Sequence, residues 1–361
     1  MTFTGDRRFA FYAKRYTRSQ ASIRLRVLEP IAGLREAGVN IGRYSWAKGL
    51  RGCDGLVISK AFTKRSVRVA QAAQRAGCGL IFDICDNRFA NRKQKGLTQS
   101  SAHISRQLAR ADLVTVPTET MGRLLEAEVP DIVGRVRVVP DMLEDLSTPD
   151  SAGPSLVDRF RLSRLRSFLA DHPGALRCVW FGNNMRGVSG IDHLDEAVRE
   201  LREFAAYHPV TLTIISDRRD IYRQASAAWD IPSFYMPWSL GSFGAALKMH
   251  RVAIIPVFQN DYTLGKSINR PATAIMAGLG VIADSIPAYE ELRPFIPLDD
   301  WQGGLSRYAF EWEAEQTHLT DARAHLDRLY GRRRVVQRWI EVLAELQVRR
   351  SGKEFPSQSC A

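Results

Sequence analysis

The sequence predicts an α/β protein of two Rossmann-like domains whose parallel sheets face each other across a cleft. Three observations lead to this prediction. The 361 residues provide enough chain for two cores of ordinary size. Apolar runs of strand length alternate with segments of helical periodicity, as in parallel sheets. A stretch rich in turn formers, residues 146–155, divides the alternation into two series. Ligands of such folds bind at the carboxyl ends of strands, so we expect a ligand in the cleft.

The first series, residues 1–145, contains five predicted strands and three predicted helices. The strands are short apolar runs, and two of the helices stop at a glycine. The predicted strands are Phe9–Ala13, Gly55–Ser59, Leu80–Cys85, Leu113–Val116 and Val136–Pro140. The predicted helices are Ser22–Ala37, Arg65–Arg75 and Ala102–Arg110.

The second series, residues 176–330, follows a linker, residues 146–175, with a predicted helix over Ser155–Leu169. Its strands are Arg177–Gly182, Val210–Ser216 and the two apolar runs at the beginning and the end of residues 252–283. Its helices include Ile191–Phe204 and Phe243–Met249. The chain ends in an amphipathic helix, Arg333–Val348, and a tail whose composition predicts disorder.

The composition is that of a folded, soluble protein, with 45% hydrophobic and 25% charged residues. No apolar run reaches the length of a membrane span, and the first residues lack the apolar stretch of a signal peptide. Five cysteines without a CxxC spacing favour reduced thiols. We therefore expect a cytoplasmic protein.

The net charge of +12 is concentrated in the first half of the chain. Residues 1–145 hold 25 basic and 14 acidic residues, whereas the rest hold 26 and 25. This asymmetry suggests that the first domain meets a polyanion, an anionic membrane surface or a phosphorylated acceptor. A basic surface that serves solubility alone explains it equally well.

The segment Gly265-Lys266-Ser267 predicts an anion site, because it precedes a helix whose first N–H groups lack partners. Lys266 and Arg270 add positive charge, so a phosphate group of a nucleotide-type ligand is the expected guest. A P-loop is disfavoured because Asn260 stands where the Walker motif needs its first glycine. There is no DxD, HxH, HExxH, GxSxG or GxGxxG motif to indicate a metal, a serine nucleophile or a dinucleotide.

The order of several motifs resembles that of GT-B glycosyltransferases of the large group 1 (family 4-like) class. The resemblance covers about 280 residues. It depends on the order and spacing of its pieces, since no single piece is specific. The segments that carry it include Ser22–Arg26, Ala111–Thr118, Val136–Asp141, Val179–Gly182 and Gly278–Ala283.

The resemblance implies transfer of a sugar from a nucleotide-diphosphate sugar to a hydroxyl acceptor, such as a cell-envelope polysaccharide or a lipid-linked glycan. It implies an acceptor domain over 1–145 and a donor domain over 176–330. Within 331–361, it implies a last helix that packs back on the first domain. Neither a metal nor a cofactor is expected, because side chains supply the cations, and no nucleic-acid partner is expected. The basic first domain suggests peripheral contact with the inner face of the cell membrane.

The candidate residues follow from the two lines of reasoning together. Asp86, at a strand end, is the candidate base and Lys266 the candidate diphosphate ligand, and both are taken as catalytic. Asp86 is preferred to Asp83, which lies within the apolar strand. Lys266 is expected to have no buried partner. The donor-binding candidates are Gly182, Asn183, Arg186, Lys266, Ser267, Ile268, Arg270 and Glu290, and the acceptor-side candidates are Arg24, Asp83 and Asn87.

The chain departs from the resembled class in two ways. Ser216-Asp217 replaces the Gly-x-Gly that usually follows the second donor-domain strand. The class has two glutamates eight positions apart, and here Gly265 and Thr273 take their places. A nucleotide-sugar-binding or scaffolding protein without activity therefore stays an alternative, as does a nucleotide-sugar epimerase of the same fold.

Overall fold

The chain forms two compact units. The computed structural model describes residues 7–47, 49–90, 98–146, 154–184 and 190–350. The first unit comprises Met1–Met142, Gly265–Ser267 and Arg328–Ala361, and the second comprises Leu143–Leu264 and Ile268–Asp327. Residues 265–267, which the sequence places in the donor domain, thus belong to the same unit as the N-terminal sheet. The predicted disordered tail and residues 147–153 of the linker lie outside the described residues.

The first unit is built on a six-stranded sheet with the order β2-β1-β3-β4-β5-β6, and all its pairings are parallel. Side chains alternate between the two faces of the sheet. Leu56 and Leu80 therefore pack in one layer, and their neighbours Val57 and Ile81 in the other. The strands are β1 (Arg8–Ala13), β2 (Ile41–Arg43), β3 (Cys53–Ser59), β4 (Gly79–Asp83), β5 (Leu113–Val116) and β6 (Val136–Val138).

Helices cover both faces of this sheet. One layer holds α3 (Lys64–Arg75), α4 (Thr98–Ala109) and α5 (Glu119–Glu128). The threonines that precede α3 and α5 cap them, because each hydroxyl accepts from a backbone N–H three residues on. The other layer holds α1 (Ala21–Ile23), a π-helical turn (Arg24–Leu28), α2 (Glu29–Glu36) and the C-terminal helix α13 (Arg332–Arg350).

The C-terminal helix completes the core of the first unit. Its Trp339 ring packs edge-on against Phe11, with ring centroids 5.2 Å apart. Glycines on β3 and β4 let the helix approach the sheet, since a Cβ atom on Gly55 or Gly79 would lie within 3.0 Å of Leu346. Ion pairs tie down the helix at both ends, from Arg332 to Glu29 and Glu36 and from Glu345 to Arg137. In the described ranges no helix is long and apolar enough to cross a membrane.

The second unit contains a five-stranded sheet with the order β11-β10-β7-β8-β9, and its pairings are also all parallel. Its strands are β7 (Leu176–Phe181), β8 (Val210–Ser216), β9 (Ser233–Pro237), β10 (Val252–Ile255) and β11 (Gly280–Ala283). Its helices are α6 (Leu156–Ala170), α7 (Asp195–Ala205), α8 (Arg219–Ser226), α9 (Leu240–Leu247), α10 (Asn269–Ala277), α11 (Trp301–Phe310) and the start of α12 (Trp312–Tyr330).

Glycines shape the connection from α10 to β11. Gly278 ends α10 in the left-handed conformation, with φ +95°, which glycine adopts without steric cost. Gly280 leaves no room for a Cβ atom beside the buried Tyr308 ring. The Tyr308 hydroxyl donates to the Val281 carbonyl at 3.2 Å. The short turn therefore fixes where β11 begins.

The α/β prediction with parallel sheets is confirmed, although two short strands and four helices were not predicted and several predicted elements end at other residues. Strand β4 stops at Asp83 rather than Cys85, and β10 stops at Ile255, because Pro256 has no N–H to donate. The predicted helix from Ile191 begins as a 3₁₀ turn, and its α-helical part starts at Asp195. Three of the cysteines, Cys53, Cys78 and Cys178, are buried, Cys85 is half-buried and Cys360 lies outside the described residues.

Candidate functional site

Two lysines hold one carboxylate at the carboxyl edge of the first unit's sheet. Lys266 Nζ lies 2.6 Å from Asp86 Oδ1, and Lys60 Nζ lies 2.5 Å from Asp86 Oδ2. The Asp86 side chain is 10% exposed, whereas the Lys266 and Lys60 side chains are 33% and 26% exposed. Both lysine side chains are therefore partly exposed, whereas the carboxylate that they contact is nearly buried. The structure thus joins the two residues that the sequence selects as catalytic, and it adds Lys60.

The charge of Asp86 is fixed by this arrangement. Burial alone would raise the pKa of the Asp86 carboxyl, but the charges of Lys266 and Lys60 outweigh burial and hold that pKa well below its usual range. Asp86 is therefore a stable carboxylate and a weak base while both lysines contact it. Removing one lysine would raise its pKa.

Lys60 adopts an unusual backbone conformation. Its φ is +48°, and among the described non-glycine residues only Asp299 also has a positive φ. Its N–H donates to the carbonyl of Asp83 at 3.0 Å, so the β3–β4 pairing continues through the residue. A left-handed lysine costs free energy, and such residues persist where the surroundings determine them, often at functional sites.

Asp83 lies beneath this cluster as the centre of a buried polar network. Its carboxylate accepts from Arg26 Nη2 at 2.6 Å, from Ser59 Oγ at 2.8 Å and from Thr115 Oγ1 at 2.9 Å. Both Arg26 and Asp83 have side chains 1% exposed. Asp83, an acceptor-side candidate, is therefore inaccessible in this structure and holds three neighbouring elements together.

Arg26 extends the network to the segment that carries Lys266. Its Nη1 donates to Asp141 Oδ1 at 2.9 Å, and Asp141 Oδ2 accepts from Ser267 Oγ at 2.6 Å. Burial would lower the pKa of Arg26, but Asp83 and Asp141 more than compensate and raise it. The result is a continuous chain of charge-assisted contacts from the core to Ser267. This chain positions Lys266 beside Asp86.

The first unit also explains the glycine at position 265, where the resembled class has a glutamate. The Gly265 carbonyl accepts from Thr118 Oγ1 at 3.4 Å, and a Cβ atom on Gly265 would lie 2.9 Å from Met121 Sδ. Any side chain there would push against α5. Thr273, at the position of the second glutamate, is buried. Neither position could hold an acidic side chain without rearrangement.

The structure also gives the surroundings of Lys266, Asn87 and Arg24 in the first unit. Lys266 was expected to lack a buried partner, and this is wrong because Asp86 lies against it. Asn87 is buried, and its Oδ1 accepts from the N–H of Phe89 at 3.0 Å, which shapes the turn after β4. Arg24 is buried, and its Nη1 donates to the Arg18 carbonyl.

The second unit places Arg270 at the carboxyl end of β7. A Cβ atom on Gly182 would lie 2.7 Å from Arg270 Nη2, so the guanidinium occupies the space that a side chain would fill. The same guanidinium lies 5.5 Å from the centre of the Trp180 ring, within the range of a cation–π contact. Arg270 is therefore held at the strand end, and Gly182 is the residue that admits it.

The remaining donor-side candidates differ in their surroundings. Ile268 precedes α10 and provides no side-chain cap, and Asn183 is exposed after β7. Glu290 is exposed and pairs with Arg293 at 2.8 Å, on a 3₁₀ turn that follows β11. Arg186 lies outside the described residues.

Lys60, Arg26 and Asp141 are the members of the charged cluster that sequence reasoning missed. Lys60 and Asp141 could have been recognised from the sequence, because Lys60 follows β3 and Asp141 follows β6, at the same edge of the sheet as Asp86. Arg26 lies in the π-helical turn, and such turns often occur at functional sites. Polar residues that follow adjacent parallel strands meet at one edge, and this rule would have grouped them.

Comparison with known proteins supports the fold through structure alone. No protein-family model and no curated protein matches the sequence. Among solved structures, WaaG, a glycosyltransferase involved in lipopolysaccharide biosynthesis, is similar with a TM-score of 0.59 and 12% identity over 93% of this chain and 99% of WaaG.

Two further structures give the same result. The E. coli structure described as trehalose-6-phosphate bound with UDP-2-fluoro glucose is similar with a TM-score of 0.59 and 10% identity, over 94% of this chain and 99% of that one. TarM of S. aureus, crystallised with UDP among other molecules, has a TM-score of 0.55 and 10% identity over 80% of this chain. The match spans only 55% of TarM. The chain has the GT-B fold and resembles the glycosyltransferases that share it.

Proposed function

We propose that the protein is a glycosyltransferase that moves a sugar from a nucleotide-diphosphate sugar to a hydroxyl group. The acceptor we propose is a cell-envelope polysaccharide or a lipid-linked glycan. The observation that carries this proposal is the Lys60–Asp86–Lys266 cluster at the carboxyl edge of a parallel sheet in a chain of GT-B fold. Similar structures that contain UDP or a UDP-sugar analogue support the donor class.

The chemistry of transfer assigns a task to Lys266. When the glycosidic bond to the donor breaks, negative charge develops on the leaving diphosphate. A fixed ammonium group aimed at that charge stabilises the transition state more than the ground state. Ser267, anchored on Asp141, keeps the segment that carries Lys266 in place. Because Lys266 is a side-chain cation, the reaction we propose requires no metal ion.

Asp86 has a conditional task in this proposal. A diphosphate that binds Lys266 would draw the ammonium group from the carboxylate, and the pKa of Asp86 would rise toward its usual range. Asp86 would then accept the proton of the acceptor hydroxyl more readily. Arg270, held against Gly182, is the cation of the second unit that we propose for an anionic ligand.

The test is turnover by the full chain with a panel of UDP- and GDP-sugars. A thermal-shift screen first identifies the nucleoside diphosphate that stabilises the protein. The matching nucleotide sugar is then incubated with lipid-linked and polysaccharide acceptors, and released nucleoside diphosphate is measured with and without EDTA. We expect acceptor-dependent release that EDTA does not abolish.

Other outcomes separate the alternatives. Stabilisation by a nucleotide without release of nucleoside diphosphate would favour a binding or scaffolding protein. The observation that favours this alternative is the absence of glutamates at positions 265 and 273. Conversion of the donor without any acceptor would favour an epimerase. Failure of every nucleotide to stabilise the protein would contradict the proposal.

A further inference from the structure

A second feature of the first unit is a basic surface that includes an exposed tryptophan. Between residues 7 and 82 the sequence has sixteen lysines and arginines but only three acidic residues, Glu29, Glu36 and Asp54. Glu29 and Glu36 pair with Arg332, and Asp54 accepts from the backbone N–H of Arg8. Glu29 also lies 3.8 Å from Arg18, so these three carboxylates offset only a small part of the sixteen positive charges.

Several of these cations share one edge of the sheet. Arg15 follows β1, Arg43 ends β2, and Lys64 begins α3 shortly after β3. The three strands are adjacent and parallel, so their carboxyl ends lie at the same edge. The exposed side chains that form this surface, here called the basic–aromatic face, are Arg15, Arg43, Trp46, Lys64, Arg65 and Arg68.

Trp46 and its neighbours give this face its specific character. Trp46 is 54% exposed, an unusual exposure for the largest apolar side chain. The Arg65 guanidinium lies 4.4 Å from the centre of its ring, and the Tyr44 ring packs edge-on against it at 5.1 Å. The ring is therefore held outward by its contacts.

Helix α3 carries three of the five cations of the face, Lys64, Arg65 and Arg68. Its twelve residues contain no aspartate or glutamate. Lys64 and Arg68 are four positions apart and project from the same side of the helix. Ser66, Val69 and Ala73 on the other side are buried against the sheet. The exposed side of α3 is thus uniformly basic near its start.

We propose that the basic–aromatic face docks the protein on an anionic lipid bilayer. Clustered lysines and arginines are attracted to anionic headgroups, and tryptophan favours the membrane–water interface. The face meets both requirements in one place. It lies at the same sheet edge as Lys60 and Asp86, so docking would bring that edge close to lipid-borne molecules. The proposal concerns adsorption to lipid and stands independently of the proposed transferase activity.

The test measures partition of the full chain onto vesicles of phosphatidylglycerol mixed with phosphatidylcholine, by co-sedimentation. We expect binding that is absent on vesicles of phosphatidylcholine alone. It should be lost in about 0.5 M NaCl, where screening shortens the Debye length to a few ångströms. The double variant Lys64→Glu/Arg68→Glu should lower the partition coefficient about tenfold or more, because each cation near the surface contributes roughly one kilocalorie per mole.

A matched control is available on the opposite layer of the same unit. Arg333 and Arg334 are exposed in the first turn of α13, which packs on the other face of the sheet. The double variant Arg333→Glu/Arg334→Glu makes the same change in net charge and should bind as the parent does. Trp46→Ala should weaken vesicle binding less than Lys64→Glu/Arg68→Glu does. The decrease in binding that Trp46→Ala causes should also depend less on salt concentration.

Several results would overturn the proposal. They are equal binding to phosphatidylcholine alone, equal losses in the two double variants, or no binding of the parent to phosphatidylglycerol. Displacement from vesicles by a short DNA duplex, with tighter binding to the DNA, would show that the face serves a nucleic acid instead. Circular dichroism of each variant separates lost binding from lost folding.

Discussion

Two buried polar networks, one in each unit, are satisfied in different ways. In the first, Arg26, Asp83 and Asp141 form charged pairs beneath the carboxyl edge of the sheet. In the second, the buried His250 is neutral, and its two ring nitrogens contact the Ala246 carbonyl and the Thr213 hydroxyl at 2.8 Å. Burying ions costs desolvation that neutral hydrogen bonds avoid. The charged network is therefore better explained by positioning the Lys266 segment than by stability.

The buried ion pair predicts that substitution of Arg26 causes the largest loss in the free energy of unfolding. Arg26→Met leaves Asp83 buried without its cation, and we expect a loss of about 3–5 kcal/mol in the free energy of unfolding. Urea denaturation at neutral pH measures it. The double variant Arg26→Met/Asp83→Asn should recover part of that loss, because the uncompensated charge is removed. A loss below about 1 kcal/mol in the single variant would mean that the pair is not buried as described.

Burial of His250 should make the stability of the second unit depend on pH between about 4 and 6.5. Burial lowers the pKa of His250 to about 4, whereas an unfolded histidine titrates near 6.5. The unfolded state therefore binds more protons between these values, and stability is lost as pH falls through this window. The expected loss is roughly 3 kcal/mol between pH 6.5 and 4.

Urea denaturation at several pH values tests this in the parent and in His250→Gln. The variant should lose about that much of the pH dependence. His318→Gln, which changes an exposed histidine, should keep the parental dependence. If His250→Gln keeps it as well, another group is responsible for the acid sensitivity.

A smaller effect is expected where Arg270 meets Gly182. Gly182→Ala places a methyl group against the far end of a flexible side chain, so the unfolding free energy should change by less than about 1 kcal/mol. Displacement of Arg270 should nevertheless weaken nucleoside diphosphate binding about fivefold. Calorimetric titration measures this. Arg270→Ala should show a similar loss, and combining the two changes should add little. Additive losses would indicate that Gly182 and Arg270 act separately.

Much of the fold could be predicted from local sequence, because apolar runs of strand length were the main signal. Leu113–Val116 and Val210–Ser216 have the predicted bounds. Strand β2 was missed because it is only three residues long, and β9 because its apolar run is only three residues, Phe234–Met236, and ends at a proline. Helices α5, α8, α11 and α12 were also missed. Helix α8, for example, is eight residues long and buries only Ile221, so it leaves little apolar signal in the sequence.

The candidate site was predictable only in part. Asp86 was recognisable as a charged residue that follows a strand, and Lys266 as a charged residue that precedes a helix. Their contact joins positions 180 residues apart, and no local pattern encodes such a pairing. Arg26 was hidden for the opposite reason, since it lies in a helical segment with the spacing of a core residue. Its role depends on where β4 and β6 end in space.

Affinity for the nucleoside diphosphate after Lys266→Ala is the most direct test of the proposed function. Loss of a charge-assisted contact of roughly 1.5–3 kcal/mol should weaken binding by about one to two decades. Lys266→Arg should recover only part, since a planar fork does not replace a compact ammonium. Asp86 keeps Lys60 at 2.5 Å, so the variant should still fold. Lys248→Ala, at an exposed lysine that follows α9, should bind as the parent does. Unchanged affinity in a folded Lys266→Ala protein would contradict the assignment of the diphosphate site to Lys266.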